Sequence, residues 1–370
     1  MFSSPALITA LALATAASAF AVNANPLYVE EAPDHLRPYV IQHYKNSHAV
    51  TIDTQLYRFM VTGPSSENAF TLLATNAPGS GSLGVLPHIH RRHYENFFNY
   101  KGRFQLWVQK DNGEQQARVL SPGDYGAVVP NTTHTFQITD PDTELLGVIV
   151  PGGFEDLFYA LGTNFTSGTD TPYVPSKSNG SSSAGPDPGM IASLQEFDVY
   201  AQLNFTERRD LVNGSAPSSA TWHSSTNALG EVGEPYFVAN GYGPKYLNSL
   251  HGYQIVQPLV TPKQAQSLEY SMSTISINAA KPNVTVPTYT LEGAAAFEVL
   301  EGLLTVQIGD YEEATLSSGD VAFIPPAVPF KYWSDIAFTK VLFIGAGTNS
   351  IDTQLIAGGK SWDYVTFPTQ

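Results

Sequence analysis

The feature that most constrains this chain is an internal repeat. Residues 101–108 (KGRFQLWV) resemble residues 301–308 (EGLLTVQI), and a Gly-Asp turn follows each segment, at Gly123 and at Gly319. The two turns are 196 residues apart, whereas solenoid repeats recur every ~20–50 residues. A chain of 370 residues also suits two domains. The sequence therefore predicts one β-unit that is duplicated in tandem.

Most of each half has the composition of short β-strands. Runs rich in Val, Ile, Phe, Tyr and Thr alternate with turn residues, as at residues 104–109, 126–129, 135–138 and 145–150. In each half a strand, a glycine turn, a strand, a Gly-Asp turn and a further strand ending at proline predict an antiparallel meander. Helical periodicity is scarce, and its clearest example is residues 190–203. We therefore expect an all-β chain with two barrels and a few short helices.

The composition also suggests how the chain is divided. Residues 166–189 are dominated by Ser, Thr, Gly, Pro and Asp, which is typical of a linker. Together with the helix candidate, the linker is predicted to span residues 166–205. The N-terminal domain then covers residues 22–165, and the C-terminal domain covers residues 206–370.

Residues 1–21 resemble a secretory signal peptide. An apolar stretch ends in small residues, with candidate cleavage sites after Ala19 and Ala21, but no Lys or Arg precedes it. An uncleaved apolar arm is the alternative. The stretch is too short for a membrane span, and no later apolar run approaches ~18 residues, so we expect a secreted protein that does not enter a membrane. Six sequons are candidate N-glycosylation sites: Asn131, Asn164, Asn179, Asn204, Asn213 and Asn283.

Charge and cysteine content exclude several function classes. The chain has 18 Lys and Arg against 33 Asp and Glu, and its net charge of −15 repels the phosphates of nucleic acids. Cysteine is absent, which excludes disulfides, thiolate catalysis and Cys-ligated zinc or iron–sulfur sites.

The first candidate site is the pair His88 and His90. In a strand, residues i and i+2 point to the same face, so both imidazoles can reach one ion. Glu95 follows five residues after His90, and His134 lies eleven residues after Gly123. Three histidines and one carboxylate suit a divalent first-row metal, and the donor set leaves Cu, Fe, Mn, Ni and Zn open.

This spacing resembles the two metal-binding motifs of the cupin superfamily. His88, His90 and Glu95 fit the first motif, and His134 fits the second. His93 falls between ligand positions, and we expect it beside the cluster or at the surface. The departures are in turn residues and leave the four ligands intact: Ser82 replaces the opening glycine, Pro130 stands one place late and Thr132 replaces the inner glycine.

The same count applied to the second half reaches no ligands. Counting back from Gly302 places Thr288 and Thr290 at the two histidine positions and Ala295 at the glutamate position. Counting forward from the second Gly-Asp turn places Phe330 at the third histidine. The sequence therefore predicts one metal ion per chain, in the N-terminal domain.

Beyond the superfamily, the chain resembles the fungal quercetin 2,3-dioxygenases, which are secreted, copper-dependent bicupins. The resemblance runs through residues 31–35, 53–59, 83–95, 104–107, 134–138, 147–158, 243–248 and 307–311. It implies one copper ion held by His88, His90, Glu95 and His134, with dioxygen as co-substrate. It also implies that a flavonol ring is opened to a depside and carbon monoxide. Because Glu95 is the only carboxylate among the ligands, we expect it to take the proton of the flavonol 3-hydroxyl.

A flavonol requires a flat, apolar pocket. Strand alternation predicts five residues that face it: Phe97, Phe136, Leu145, Gly147 and Ile149. The family resemblance adds three more, Tyr57, Thr75 and Phe154. Alternation is equally compatible with a purely structural role in the barrel core for each of them.

Two other functions are compatible with parts of the sequence. A manganese oxalate decarboxylase or oxidase would keep ligands in both halves and a small polar pocket. A non-catalytic storage or ligand-binding bicupin would usually have lost the ligands. A homodimer is also compatible with the sequence.

Overall fold

The computed structural model describes residues 26–45, 48–111, 113–166, 170–175, 188–217, 222–224, 228–281 and 284–369. The predicted signal peptide and the sequons at Asn179 and Asn283 lie outside the described residues.

The N-terminal half is built from short strands with two helices, α1 (Gly63–Ser66) and α2 (Glu155–Leu161). Its strands are β1 (Tyr28–Val29), β2 (Tyr39–Ile41), β3 (Val50–Ile52), β4 (Gln55–Val61), β5 (Thr71–Ala77), β6 (His88–Ile89), β7 (Tyr94–Lys101), β8 (Phe104–Lys110), β9 (Gln116–Leu120), β10 (Tyr125–Val128), β11 (Thr132–Ile138), β12 (Thr143–Val150) and β13 (Thr163–Asn164). The connecting segment carries α3 (Pro188–Ser193), a 3₁₀ turn (Leu194–Phe197) and β14 (Tyr200–Ala201).

The C-terminal half repeats this plan with α4 (Pro262–Ala265), a 3₁₀ turn (Gln266–Leu268) and α5 (Ile351–Ala357). Its strands are β15 (Tyr236–Val238), β16 (Tyr246–Asn248), β17 (Gln254–Val260), β18 (Tyr270–Ile277), β19 (Ala295–Glu301), β20 (Leu304–Ile308), β21 (Ala314–Leu316), β22 (Val321–Ile324), β23 (Phe330–Trp333), β24 (Thr339–Ala346) and β25 (Lys360–Ser361).

Each half forms a barrel from two sheets. In the N-terminal barrel an eight-stranded sheet (β13-β3-β4-β5-β12-β7-β10-β15) packs on a five-stranded sheet (β14-β6-β11-β8-β9). In the C-terminal barrel a nine-stranded sheet (β1-β2-β22-β19-β24-β18-β17-β16-β25) packs on a three-stranded sheet (β21-β20-β23). The strands predicted for each half are present as β7 to β11 and as β19 to β23, but they do not form a meander. The chain crosses between the two sheets, so that β7 pairs with β10 and β8 with β11, as β19 pairs with β22 and β20 with β23.

The two barrels exchange strands: β1 and β2 extend the sheet of the C-terminal barrel, and β15 extends the sheet of the N-terminal barrel. Strand β2 pairs with β22 of the C-terminal barrel, with Tyr39 opposite Phe323. Strand β15 pairs with β10 of the N-terminal barrel, with Tyr236 opposite Ala127. Domain boundaries drawn by sequence order did not anticipate this exchange, because the pairing partners of both strands are distant in sequence.

The Gly-Asp turn of each barrel anchors the strand that arrives from the other half. The backbone N–H of Asn240 donates to Asp124, and that of His43 donates to Asp320, each at 2.8 Å. Gly123 and Gly319 both have φ of +87°. A Cβ on Gly319 would lie 2.2 Å from the His43 ring, so these positions require glycine for conformation and for space.

The largest hydrophobic cluster lies between the two barrels and includes Phe70, Leu146, Met272 and Ile344. Strands β5, β12 and β18 are buried on both faces because one face lines a barrel and the other faces the neighbouring barrel. The interface also contains a polar link, in which the Asn96 amide donates to the Tyr270 hydroxyl at 3.0 Å. The two barrels therefore share one core.

The barrel interiors differ. One continuous cluster fills the C-terminal barrel, with Phe297, Phe330 and Tyr332 among its members. The interior of the N-terminal barrel is divided into two clusters, one around Phe97 and Phe136 and the other around Tyr57 and Phe154. This division leaves space for a cavity between the two clusters, and members of both line it.

The helix predicted over residues 190–203 is shorter than expected. It consists of α3 and the 3₁₀ turn, and it ends where Asp198 adopts a left-handed φ of +64°. The chain then enters β14, which pairs with β6. Within the described residues, no helix has the length and apolar character needed to cross a membrane.

Candidate metal centre

The four predicted ligands lie together at one end of the N-terminal barrel. His88 on β6 is directly opposite His134 on β11, and Glu95 projects from β7. Glu95 Oε2 lies 3.1 Å from His90 Nε2 and 2.9 Å from His134 Nε2, and His88 Nε2 lies 3.2 Å from His90 Nε2. All four donor atoms lie within 4.8 Å of one another.

Backbone carbonyls fix the orientation of the three rings. The Nδ1 atoms of His88, His90 and His134 lie 2.7, 2.9 and 3.0 Å from the carbonyl oxygens of Leu86, Asp198 and Thr132. A carbonyl oxygen can only accept, so each Nδ1 carries a hydrogen and each neutral ring presents an Nε2 lone pair to the centre.

This arrangement fits a metal ion. Three lone pairs and a carboxylate oxygen converge at distances that would be repulsive between acceptors unless a cation sits among them. Imidazole nitrogens and one carboxylate are a donor set for divalent first-row metals. With neutral imidazoles, a divalent ion here would keep a net charge of +1, which favours an anionic ligand.

The electrostatics of the centre agree with a neutral His88 and an ionised Glu95. Burial, followed by the neighbouring rings of His134 and His90, lowers the pKa of His88 well below its usual value. Burial alone would raise the pKa of Glu95, but hydrogen bonds and positive charge at the His134 and His90 rings outweigh it and hold the pKa well below the usual range. With both Nε2 lone pairs facing Glu95, a metal ion would supply this positive charge.

A cavity of about 280 Å³ opens directly beside His88 and Glu95. Seven of the eight predicted pocket residues line it: Tyr57, Thr75, Phe97, Phe136, Leu145, Gly147 and Phe154. The Phe97 and Phe136 rings lie 6.0 Å apart, and the Phe154 ring meets the His90 ring edge-on at 5.0 Å. The cavity is therefore an aromatic-walled space with polar groups at one end.

Ile149 is the exception among the predicted pocket residues. It is fully buried in the cluster around Tyr57 and Phe154 and is absent from the cavity wall. It shares a strand face with Leu145 and Gly147 and pairs with Glu95, but its own side chain packs in the cluster and does not reach the cavity. Alternation identified the correct face but not where along the strand the cavity ends.

Other parts of the wall were not anticipated. Helix α2 contributes Leu157, Phe158 and Leu161. Their spacing places them on one face of a helix, and this pattern could have been recognised in the sequence. The connecting segment contributes Leu194 and Val199. No local pattern in the sequence connects that segment to the cavity.

His93 lies beside the cluster and does not join the four ligands, as the motif spacing predicts. Its Nδ1 is 2.8 Å from Asp198 Oδ2, and its ring packs on Phe154 at 5.0 Å. Asp198 is buried and was not identified from the sequence.

The positions in the C-terminal barrel that correspond to the ligands are shifted from the predicted ones. Tyr289 pairs with Phe330 as His88 pairs with His134, and the Leu291 carbonyl accepts from Ala327 as the His90 carbonyl accepts from Asn131. Tyr289 and Leu291 therefore replace Thr288 and Thr290, because the connection to Ala295 is one residue shorter than that from His90 to Glu95. Tyr289, Leu291, Ala295 and Phe330 offer no imidazole or carboxylate.

Four of the candidate glycosylation sites are described, and all are exposed: Asn131, Asn164, Asn204 and Asn213. Asn131 lies next to the metal centre, because its backbone N–H donates to the His90 carbonyl at 2.6 Å.

Comparison with known proteins identifies close relatives. The chain is 61% identical over 345 residues to a quercetin 2,3-dioxygenase of Aspergillus japonicus, which covers 93% of this chain and 99% of the relative. It is 31% identical over 142 residues to a quercetin 2,3-dioxygenase of Bacillus subtilis, which covers 38% of this chain and 40% of that relative. No model of a known protein family matches the chain.

Solved structures show the same fold at low identity. An oxalate decarboxylase from Lactobacillus farciminis, in complex with formate, superimposes with a TM-score of 0.51 and 12% identity over 86% of this chain and 89% of the other. This likeness confirms the predicted all-β, two-barrel architecture and concerns the fold alone.

Proposed function

The chain belongs to the quercetin 2,3-dioxygenase family, and from this premise we propose that it binds one metal ion through His88, His90, Glu95 and His134 and opens a flavonol ring with dioxygen. The observation that carries the proposal is the convergence of three oriented Nε2 lone pairs and one carboxylate at the wall of an apolar cavity. In the proposed reaction one flavonol and one dioxygen give one depside and one carbon monoxide.

Copper(II) is the proposed ion. The donor set suits several first-row metals, copper stands highest in their general order of affinity, and the family resemblance implies it. A redox-active ion in this position would supply a Lewis acid for the flavonol oxygen and a route for electrons to dioxygen.

Glu95 is the proposed proton acceptor. Both of its histidine contacts use Oε2, and its side chain lines the cavity, so Oε1 is the atom to receive the proton of the 3-hydroxyl. At neutral pH Glu95 is ionised, which is the form that accepts a proton. Binding of the flavonol oxygen to a metal ion would lower the pKa of the 3-hydroxyl and so favour the transfer.

The cavity wall is proposed to hold the flavonol rings. Phe97, Phe136 and Phe154 offer aromatic surfaces for offset or edge-on packing. Gly147 keeps the space flat, because a Cβ there would already lie 3.3 Å from Leu73 Cγ. Tyr57, Thr75 and Leu145 complete the predicted contacts, whereas Ile149 would support the wall from behind.

Turnover of quercetin is the test of this function. The purified, copper-loaded chain should consume quercetin under oxygen, with loss of the flavonol absorbance and release of one carbon monoxide per flavonol. A metal-replete sample that consumes no flavonol would overturn the proposal. Release of carbon dioxide from oxalate would instead favour the manganese oxalate enzymes.

We also propose that the protein is secreted and glycosylated. The apolar N-terminus and the four exposed sequons support this, and the net charge of −15 argues against a nucleic-acid partner. Protein secreted by a fungal host should begin near residue 20–22 and lose mass on treatment with an N-glycosidase. Its mass in solution would decide whether it forms a homodimer.

A further inference from the structure

Asp198 lies in the segment that connects the barrels and contacts the metal centre. No sequence pattern indicated these contacts. It follows the 3₁₀ turn, adopts a left-handed φ of +64°, and its backbone N–H is held by the carbonyls of Leu194 and Gln195. The residue is 2% exposed. A buried aspartate held at both its backbone and its side chain has a fixed position.

The carboxylate of Asp198 holds the turn between two of the ligands. Arg91 N–H donates to Oδ1 at 3.1 Å, and Arg92 N–H and His93 N–H donate to Oδ2 at 2.9 and 3.2 Å. Residues 91–94 are the whole connection between His90 and Glu95. One side chain thus fixes three of the four residues that separate these ligands.

The backbone of the same residue orients His90. The His90 Nδ1–H donates to the Asp198 carbonyl at 2.9 Å, across 108 residues of sequence. The corresponding acceptors of His88 and His134 are carbonyls only two residues away on their own segments. His90 is therefore the one ligand histidine in this centre whose orientation depends on the connecting segment.

His90, His93 and Asp198 also lie close enough together to resemble a second cation site. The hydrogen bonds argue against that role, because both Nδ1 atoms direct hydrogens at Asp198 and three backbone N–H groups occupy its carboxylate. The hydrogen-bond donors and acceptors of these three residues are thus engaged with one another and with the backbone, as expected for a group that positions a metal ligand.

The chain beyond Asp198 continues along the ligand strand. Ala201 pairs with His88, and Gln202 N–H donates to the Pro87 carbonyl at 2.7 Å. The Arg91 guanidinium stacks on the Tyr200 ring at 3.8 Å. The connecting segment is thus an edge of the sheet that carries the metal centre.

From these contacts, and resting on the proposed metal site, we infer that Asp198 is a positioning residue that sets the orientation of His90 and the spacing of His90 from Glu95. It touches neither substrate nor metal and acts through these two ligands. Loss of its carboxylate should weaken metal binding about 10–100-fold, which is the usual effect of removing a group that orients a ligand.

Two variants separate the roles of the side chain and the backbone. Asp198→Gly tolerates the left-handed φ and keeps the carbonyl that accepts from His90, but it removes the carboxylate. Asp198→Asn keeps one acceptor oxygen and also tolerates this φ, so it should retain part of the function. We expect copper(II) affinity to fall more in the glycine variant than in the asparagine variant.

Asp124→Asn is the matched control. Asp124 is also buried, accepts backbone N–H groups from Ser121 and Asn240, and lies 2.8 Å from a histidine nitrogen, that of His223. It belongs to the same barrel but is at the far end of β7 from Glu95. Its asparagine variant should lose stability without changing metal affinity.

The measurements are copper(II) affinity by chelator competition, the electron paramagnetic resonance spectrum, and thermal unfolding of the metal-free full-length chain. Lower affinity and an altered copper spectrum in both Asp198 variants, with wild-type values in Asp124→Asn, would support the inference. Wild-type affinity and spectrum in Asp198→Asn and Asp198→Gly would overturn it, as would an equal loss in the control. If the glycine variant does not fold, the asparagine variant decides. Failure of the wild type to bind copper would instead count against the proposed function.

Discussion

Replacement of Glu298 by glutamine tests the shared core of the two barrels. Glu298 on β19 and Glu144 on β12 are each 1% exposed, and Glu298 Oε2 has no hydrogen-bond partner among the described residues. Glu144 is contacted by His43 Nε2 at 3.0 Å and by the Tyr44 hydroxyl at 3.0 Å. Burial, followed by the charge of Glu144, raises the pKa of Glu298 well above its usual value.

The direction of the pH effect follows from this raised pKa. In the unfolded chain Glu298 ionises near its ordinary pKa of 4.5, whereas in the folded chain it keeps its proton to a higher pH. Between these two values the free energy of unfolding falls by about 1.4 kcal/mol per pH unit, because the unfolded state binds fewer protons. The loss accumulates over the whole pH interval in which the folded chain keeps the Glu298 proton and the unfolded chain has released it.

Glutamine does not titrate, so Glu298→Gln should remove this contribution. Denaturant unfolding at pH 4.5, 5.5 and 6.5 should show the variant gaining stability relative to the wild type as pH rises, by at most about 1.4 kcal/mol per pH unit. Glu292→Gln, at an exposed position just before β19, should not change the pH dependence of the wild type. A difference between Glu298→Gln and wild type that is the same at all three pH values would refute the reasoning.

The remaining predictions concern the proposed reaction. Glu95→Gln should lower turnover about 100–10,000-fold while quercetin still binds, as measured by fluorescence quenching, and near-normal turnover would exclude Glu95 as the base. Gly147→Val should raise KM at least about tenfold without changing metal content, because its side chain enters a space already closed by Leu73, and an unchanged KM would place the substrate elsewhere. Removal of the metal should lower the melting temperature, and one equivalent of copper per chain should restore it, since the donors converge only in the folded chain; uptake of two equivalents would contradict a single site.

The convergence of the four candidate ligands could be predicted because it depends on local geometry. Strand alternation places His88 and His90 on one face, and the spacing to Glu95 and His134 matches a known motif. The same alternation found four residues of the cavity wall, Phe97, Phe136, Leu145 and Gly147, the first two because they follow Glu95 and His134 by two residues.

The parts that sequence could not reveal depend on contacts between distant segments. The hydrogen bond from His90 to Asp198 spans 108 residues of sequence. Asp198 lies in a segment that the sequence predicted only as a linker with a short helix. The shift from Thr288 to Tyr289 in the second barrel arises from a single missing residue in a turn. One residue is enough to reverse the face on which a strand side chain lies.

The exchange of strands between the two barrels determines whether a chain cut between them would stay folded. If the backbone were cut between the barrels, the N-terminal fragment would keep β1 and β2, which complete the sheet of the C-terminal barrel, and the C-terminal fragment would keep β15, which completes the sheet of the N-terminal barrel. Made separately, each would expose an unpaired sheet edge and the buried face around Asn96 and Tyr270, which promotes aggregation. Made together, the two fragments should reassemble by complementation into one folded particle. A chain cut once by a protease between the barrels should therefore stay folded.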